Sequence, residues 1–208
     1  MAGLPAHRHP PHDGLIRGQA CRQLRTWQQD SGRPMTMSVN LSAAQPADDG
    51  LVALVKKTLA ESGIVPGTLK LELTESAVLA DPDRALGIFR QLKELGVKLS
   101  LDDVGTAYTS LSHRRRLPID TLKIDRFFVS QMDRHDDKRQ IAEAVMMLAR
   151  TLGLDVVAEG AETAAEVDLP QDMGSDFVQG CFYFKPMRAD AAGAAWRGQD
   201  AHWRAGIG

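Results

Sequence analysis

Six short apolar runs, each ending near an acidic or amide residue and followed by a helical pattern, limit how this chain can fold. The runs lie at 37–42, 69–76, 98–105, 122–128, 154–163 and 176–184. Strands that alternate with amphipathic helices are typical of a parallel sheet with right-handed crossovers. We therefore expect an α/β protein whose parallel strands are covered by helices.

Residues typical of helix ends separate these runs. Asp81 and Pro82 predict the start of a helix, and Gly96 predicts its end. A second helical segment ends at Gly153 and carries apolar residues at helical spacing, which predict the side that packs on the sheet. These residues are Ile141, Val145, Leu148 and Leu152.

Two parallel-sheet folds are compatible with this alternation, an open doubly wound sheet and a (β/α)₈ barrel. No glycine-rich phosphate loop follows the first run, which weakens the case for a nucleotide-binding open sheet. Polar residues do stand at the ends of the runs, and a barrel gathers those ends into one ring that holds its active site. They are Asn40, Glu72, Glu75, Asp102, Asp103, Lys123, Asp125, Glu159, Glu162 and Gln179. We therefore predict a TIM-like barrel.

The adjacent acids Asp102 and Asp103 bear most directly on the chemistry. Carboxylates this close raise each other's pKa unless a cation neutralises them. Neighbouring strand residues point to opposite faces, so both acids can face inward only if the strand ends here and Asp103 belongs to the loop that follows. Carboxylates and the amide oxygen of Asn40 suit Mg²⁺ or Mn²⁺, and two such ions can clamp a phosphodiester during hydrolysis.

Each of these polar residues also has a purely structural explanation. Asp103 could cap a helix that begins near Ala107, and Asn40 and Gln179 could satisfy backbone groups in turns. The acids of 69–76 could begin the next helix, and the polar residues of 122–128 could form the polar face of a surface strand. The occurrence of the full set at successive strand ends favours a shared site.

Composition narrows the class of protein. The 208 residues are 43% hydrophobic, which suits one domain, and the net charge of -2 with a pI near 6.3 gives no reason to expect DNA or RNA binding. No apolar run approaches the roughly 18 residues of a membrane helix. With two cysteines and no signal peptide, we expect a cytoplasmic protein.

Residues 1–17, rich in Pro, Gly and His, are predicted to be a poorly ordered leader before a domain at 18–208.

Six stretches of the sequence resemble the successive motifs of the EAL-domain family, the bacterial cyclic di-GMP phosphodiesterases. They are SVNLS, LELTES, LDDVGTAYTSL, LPIDTLKIDRFFV, VVAEGAET and FVQGCFYFKP. The resemblance covers roughly residues 18–188. It implies a (β/α)₈ barrel of EAL type, two Mg²⁺ or Mn²⁺ ions, and hydrolysis of cyclic di-GMP to linear pGpG.

The motifs also imply roles for individual residues. The implied metal ligands are Asn40, Glu72, Asp102 and Asp103, the implied catalytic residues are Lys123 and Glu159, and the implied substrate-binding residue is Gln179. The segment from Asp103 to Ser110 resembles the loop that couples the metal site to dimerisation in the family, which implies a homodimer. Here Val104 replaces the usual aromatic residue and Ala107 replaces the usual glycine.

The family's Glu-Ala-Leu triplet, which should precede Asn40, does not occur, because the first glutamate is Glu61. We therefore expect an N-terminally incomplete member whose barrel lacks its first two strands. Two functional hypotheses follow. The chain is a metal-dependent cyclic di-GMP phosphodiesterase, or it is a catalytically inactive EAL-like module that binds cyclic di-GMP or a protein partner. A third interpretation is a truncated relic without function.

Overall fold

A computed structural model describes residues 12–32, 35–41, 50–104 and 117–198. Within these ranges the chain forms six strands, which correspond to the six predicted apolar runs. They are β1 (Met37–Asn40), β2 (Leu69–Thr74), β3 (Lys98–Val104), β4 (Thr121–Ile124), β5 (Asp155–Glu159) and β6 (Phe177–Gln179).

Helices connect and cover the strands. They are α1 (His12–Ser31), α2 (Gly50–Ser62), α3 (Glu75–Leu79), α4 (Pro82–Glu94), α5 (Arg126–Val129), α6 (Asp136–Leu152), α7 (Ala164–Asp172) and α8 (Ala189–Gly198), with a 3₁₀ turn at Pro66–Thr68. None of the helices in the described ranges has the length and apolarity that a membrane span requires. Residues 1–11 of the predicted leader and 105–110 of the predicted dimerisation loop, including the proposed helix start near Ala107, lie outside the described residues.

The strands form one parallel sheet in the order β1-β2-β3-β4-β5-β6. Each strand therefore lies beside its successor in the chain, whereas the strand order of a doubly wound sheet reverses at a switch point. Sequential order is the topology of an α/β barrel. The fold is accordingly a partial α/β barrel, as the sequence predicts.

The core lies between the sheet and the helices, and α4 shows how it is built. Its N-cap is Asp81, whose carboxylate accepts a hydrogen bond from the Arg84 N–H at 3.2 Å, and Pro82 follows as predicted. The buried stripe consists of Ala85, Ile88, Phe89 and Leu92. This side packs on strands whose side chains are buried on both faces, which explains why the strand sequences are nearly continuous apolar runs.

The predicted stripe of α6 is wrong at Ile141, while Val145 is buried and Leu148 and Leu152 are half-buried. Ile141 is 40% exposed, and the buried residues are Ala142, Val145, Met146 and Ala149. Val145 belongs to both sets, so the helix is rotated slightly from the expected orientation. Its small alanines face the sheet and allow close packing, which a stripe of large side chains would not. Gly153 ends the helix with φ +68°, as predicted.

At the amino ends of the strands, the aspartate that precedes one strand binds the second residue of the strand beside it. The Asp120 carboxylate accepts a 2.8 Å hydrogen bond from the Leu99 N–H, and the Asp176 carboxylate accepts one of 2.8 Å from the Val156 N–H. Asp120 also accepts from the Lys93 ammonium at 2.6 and 2.8 Å. These carboxylates supply acceptors where the backbone ladder begins.

We expect Asp120→Ala to lower the free energy of unfolding by about 1.5–3 kcal/mol, because it removes charge-assisted hydrogen bonds and leaves the Leu99 N–H without its acceptor. Urea denaturation measures the change. The matched control is Glu61→Ala, which removes a 60% exposed carboxylate 3.7 Å from Lys57 and should change stability by at most about 0.5 kcal/mol. Equal effects of the two variants would contradict this account of the sheet edge.

Candidate active site

Four consecutive strands bring charged side chains together at their carboxyl ends. Lys123 of β4 places its Nζ 2.9 Å from Glu72 Oε2 of β2 and 3.5 Å from Asp102 Oδ2 of β3. The same ammonium forms an ion pair with Glu159 Oε1 of β5. The structure therefore brings three of the predicted site residues to a fourth, Lys123, and we call these four side chains the lysine cluster.

The lysine cluster is largely out of solvent, since the Lys123 side chain is 4% exposed and the Glu72 side chain 8%. Burial by itself lowers the pKa of Lys123, but hydrogen bonds to Glu159 and Glu72 outweigh it and hold that pKa above its ordinary value. Burial raises the pKa of Glu159 to about 7, against the opposing effect of Lys123. Lys123 therefore stays charged, and burial makes Glu159 easier to protonate than an exposed glutamate.

Asp103 lies where β3 loses its regular geometry. Its φ is +58°, and the register of β3 against β4 shifts between Leu101 and Val104. The Asp103 N–H donates a 3.0 Å hydrogen bond to Asp102 Oδ1. The backbone is thus irregular at the adjacent acids, but Asp103 still lies within β3, which continues to Val104, rather than in the loop expected after Asp102.

Asp125 belongs to the same acidic region, although it was not among the residues to which the sequence analysis assigned a role. Burial, the charges of Asp102 and Asp125, and a side-chain hydrogen bond with Asp125 raise the pKa of Asp103. Asp125 also caps α5 by accepting a 2.7 Å hydrogen bond from the Phe127 N–H. The sequence spacing could have predicted this position, because Asp125 lies two residues after Lys123 and alternate strand residues share a face.

The remaining predicted residues flank the lysine cluster on the outer strands. Asn40 is the register partner of Glu72, and Gln179 is the register partner of Glu159. Both are exposed. The structure thus places Asn40 and Gln179 beside the cluster along the sheet edge, whereas Glu72, Asp102 and Glu159 contact Lys123 directly.

The donor chemistry of this edge fits a hard divalent cation, because carboxylate and amide oxygens are the ligands such ions prefer. The acids Glu72, Asp102, Asp103, Asp125 and Glu159 exceed the single charge that Lys123 contributes. In the described ranges, however, no three His, Cys, Asp or Glu side chains are arranged to hold a metal ion. The carboxylates converge on the Lys123 ammonium instead. The residue types nevertheless fit a divalent metal ion, and the excess negative charge would favour the binding of such an ion.

A close backbone contact fixes Gln179 beside the loop that follows Glu159. The Ala161 N–H donates to the Gln179 carbonyl at 3.2 Å, and the Phe182 N–H donates to the Ala161 carbonyl at 3.0 Å. A Cβ at Gly180 would overlap the backbone oxygen and nitrogen of Ala161. Only glycine allows the end of β6 to approach this loop so closely.

Lys123→Met should lower the free energy of unfolding by about 3–5 kcal/mol, because it leaves the buried carboxylates of the lysine cluster without their cation. Chemical denaturation at neutral pH measures this. Lys57→Met removes a lysine whose side chain is 70% exposed and should cost at most about 1 kcal/mol. A loss no larger than that of the control would show that the ammonium does not stabilise the cluster.

Gly180→Ala should cost about 1–3 kcal/mol, because the added methyl forces the backbone of β6 away from Ala161. The matched control is Gly87→Ala, which adds the same methyl in α4 where nothing lies within 4 Å. That control should be neutral or stabilise by up to about 1 kcal/mol, since alanine favours helix over glycine. Thermal denaturation of both variants measures the difference in stability. Equal unfolding midpoints would contradict the close contact between Gly180 and Ala161.

Comparison with known proteins places this geometry in a family. The EAL domain profile matches residues 6–186. The bifunctional diguanylate cyclase/cyclic di-GMP phosphodiesterase MucR of Pseudomonas aeruginosa is 41% identical over 172 residues, which cover 83% of this chain and 25% of MucR. The chain thus spans about a quarter of the length of this relative.

Solved structures agree with the sequence match. The PaMucR phosphodiesterase in its c-di-GMP complex superposes with a TM-score of 0.83 at 40% identity, covering 86% of this chain and 72% of that one. The EAL domain of Mycobacterium smegmatis DcpA gives 0.83 at 33% identity, with 89% and 84% covered. The manganese/cy-diGMP complex of Klebsiella pneumoniae BlrP1 gives 0.76 at 26%, with 84% and 44% covered. On the extent of these matches, this chain belongs to the EAL domain family.

Proposed function

We propose that the chain is a metal-dependent phosphodiesterase domain that hydrolyses cyclic di-GMP to linear pGpG. The observation that carries the proposal is the lysine cluster, in which a buried ammonium and three carboxylates meet at the carboxyl ends of four neighbouring strands. Active sites of α/β barrels lie at this edge. The similarity to the PaMucR phosphodiesterase, solved in complex with c-di-GMP, supports this substrate.

In this proposal Asn40, Glu72, Asp102 and Asp103 hold the divalent metal, Mg²⁺ or Mn²⁺. Such an ion supplies Lewis-acid stabilisation of the negative charge that develops on the phosphoryl oxygens. Excess carboxylate charge around Lys123 supports cation binding, and burial together with the charges of Asp102 and Asp125 raises the pKa of Asp103. The BlrP1 complex supports Mn²⁺ as one suitable ion.

The chain's own residues handle the water and the phosphate. Lys123 remains protonated, so its ammonium holds the attacking water or a phosphate oxygen by donating hydrogen bonds. The water oxygen bonds to phosphorus, the bond from phosphorus to one ribose oxygen breaks, and that oxygen finally takes a proton derived from the water. Glu159 orients Lys123 and contributes to the metal centre, while Gln179 contacts the substrate beside it.

A second candidate function is binding without turnover. The specific observation in its favour is that three carboxylates point at Lys123, while the described part of the chain shows no ready-made metal group. Carboxylates that stay paired with Lys123 would leave the site able to contact the ligand but unable to hold the cation that hydrolysis needs. The chain would then be an EAL-like module that binds cyclic di-GMP or a protein partner.

The purified chain incubated with cyclic di-GMP and Mn²⁺ or Mg²⁺ should produce pGpG, measured by reversed-phase chromatography. Glu72→Gln should reduce the rate at least about 100-fold, because the predicted ligand and partner of Lys123 loses its charge. The surface variant Glu61→Gln should retain the wild-type rate. Chelation of the metal should abolish product formation.

Calorimetric titration of cyclic di-GMP into the same samples separates the two functions. Binding without pGpG from a folded wild-type chain would replace the phosphodiesterase with the binding module. Neither binding nor product would overturn both proposals.

A further inference from the structure

The carboxylate of Glu166 makes more contacts than a helix cap requires. Glu166 is the third residue of α7, and with the N-cap Thr163 it forms a capping box. Its Oε2 accepts hydrogen bonds from the Glu162 N–H at 2.9 Å and the Thr163 N–H at 3.2 Å. The other oxygen, Oε1, accepts a 2.9 Å hydrogen bond from the N–H of Gln131, which lies 35 residues away along the chain.

The two segments that Glu166 joins carry the two closest partners in the lysine cluster. Gln131 comes just after α5, in a turn with φ +57°, and α5 begins shortly after Lys123. Glu162 and Thr163 end the loop that begins directly after Glu159. Glu166 is therefore a bridge between the segment that follows Lys123 and the segment that follows Glu159.

A second tie joins the same segments but is weaker. Arg126 of α5 pairs with Glu162 at 2.9 Å, and both side chains are more than half exposed. Exposed pairs of this kind contribute little, with a median of about 0–1 kcal/mol. Gly160, at φ +75°, leaves room for the aliphatic part of Arg126, since a Cβ there would overlap it.

Glu166 is by contrast 6% exposed. Burial alone would raise its pKa, but the backbone N–H groups of Glu162, Gln131 and Thr163 outweigh it and hold the pKa below its usual range. A buried carboxylate that satisfies three backbone donors is costly to replace, because each donor is left unpaired. Glu166 is therefore the firmer of the two ties.

We propose that Glu166 is a positioning residue, which sets the placement of Lys123 relative to Glu159 by holding the turn after α5 against the loop after β5. Glu166 touches neither residue and acts through the backbone of both segments. Its effect on the reaction rests on the proposed phosphodiesterase function, whereas its effect on the Lys123–Glu159 pair does not.

Glu166→Gln is the direct test, because glutamine keeps the size of the side chain but turns one acceptor into an amide donor. That donor would face an N–H of Gln131 or those of Glu162 and Thr163, so one end of the bridge must open. We expect kcat to fall roughly 10- to 100-fold while KM for cyclic di-GMP changes less than threefold.

A spectroscopic measurement follows the pair directly. Buried, ion-paired lysine ammonium groups exchange protons slowly enough for a ¹⁵N–¹H NMR signal, and the Lys123 signal is assigned by its loss in Lys123→Arg. Glu166→Gln should shift this signal or broaden it beyond detection in the folded protein. An unchanged Lys123 signal together with an unchanged kcat would overturn the proposal.

Thr163→Val is the matched control, since it removes the hydroxyl that accepts a 3.3 Å hydrogen bond from the Glu166 N–H while keeping the Glu166 carboxylate. It should lower the unfolding midpoint but leave the Lys123 signal in place and kcat within twofold of wild type. Equal changes in both variants would show that Glu166 acts only as a helix cap, which also overturns the proposal.

Glu166→Asp tests the positioning role of Glu166 if Glu166→Gln does not fold. Aspartate keeps the charge at the helix start but is one methylene shorter, so it should lose Gln131 and displace the Lys123 signal. An undisturbed signal in folded Glu166→Asp would contradict the bridge. If the wild-type chain produces no pGpG, the proposed function fails, while the NMR comparison still determines the role of Glu166.

Discussion

The ammonium of Lys123 lies out of water, and the rest of the sheet is arranged to make that position tolerable. Moving an unpaired ammonium into a protein interior costs several kcal/mol, so carboxylates must reach it from the neighbouring strands. Glu72, Asp102 and Glu159 do so from β2, β3 and β5. A slip of one residue in any of these strands would turn its charged side chain to the other face. The buried charge therefore specifies the register of the sheet more strictly than the apolar side chains around it.

Much of this arrangement follows from local sequence patterns. The apolar runs locate the six strands, and the N-cap at Asp81 and the left-handed glycine at Gly153 locate helix ends, because each depends on a few neighbouring residues. The grouping of Glu72, Asp102, Lys123 and Glu159 is also predictable, since the carboxyl ends of parallel strands lie along one edge. The two adjacent acids also indicate that the strand departs from regular geometry near its end, where Asp103 has φ +58°.

Other features depend on contacts that leave no periodic signal. The exposed position of Ile141 reflects how closely the alanines of α6 approach the sheet, and two overlapping stripes in the sequence fit the helix equally well. The Gln131–Glu166 hydrogen bond joins a backbone group to a distant side chain, so the side chain of Gln131 gives no sign of it in the sequence. In the described residues the carboxylates converge on the Lys123 ammonium and do not form a group of three metal ligands. This arrangement depends on side-chain conformations, which the spacing of residues in the sequence does not determine.

In the described residues β1 and β6 each have a strand neighbour on one side only, whereas β2 to β5 have two. Strands at a sheet edge open locally at a smaller free-energy cost than central ones. Asn40 and Gln179 lie on these edge strands, while the lysine cluster lies on the central four. The candidate site therefore combines an electrostatic centre on the four central strands with two lateral groups on strands that are paired on one side only, so a ligand that engages Asn40 or Gln179 would tighten the sheet from its margins inward.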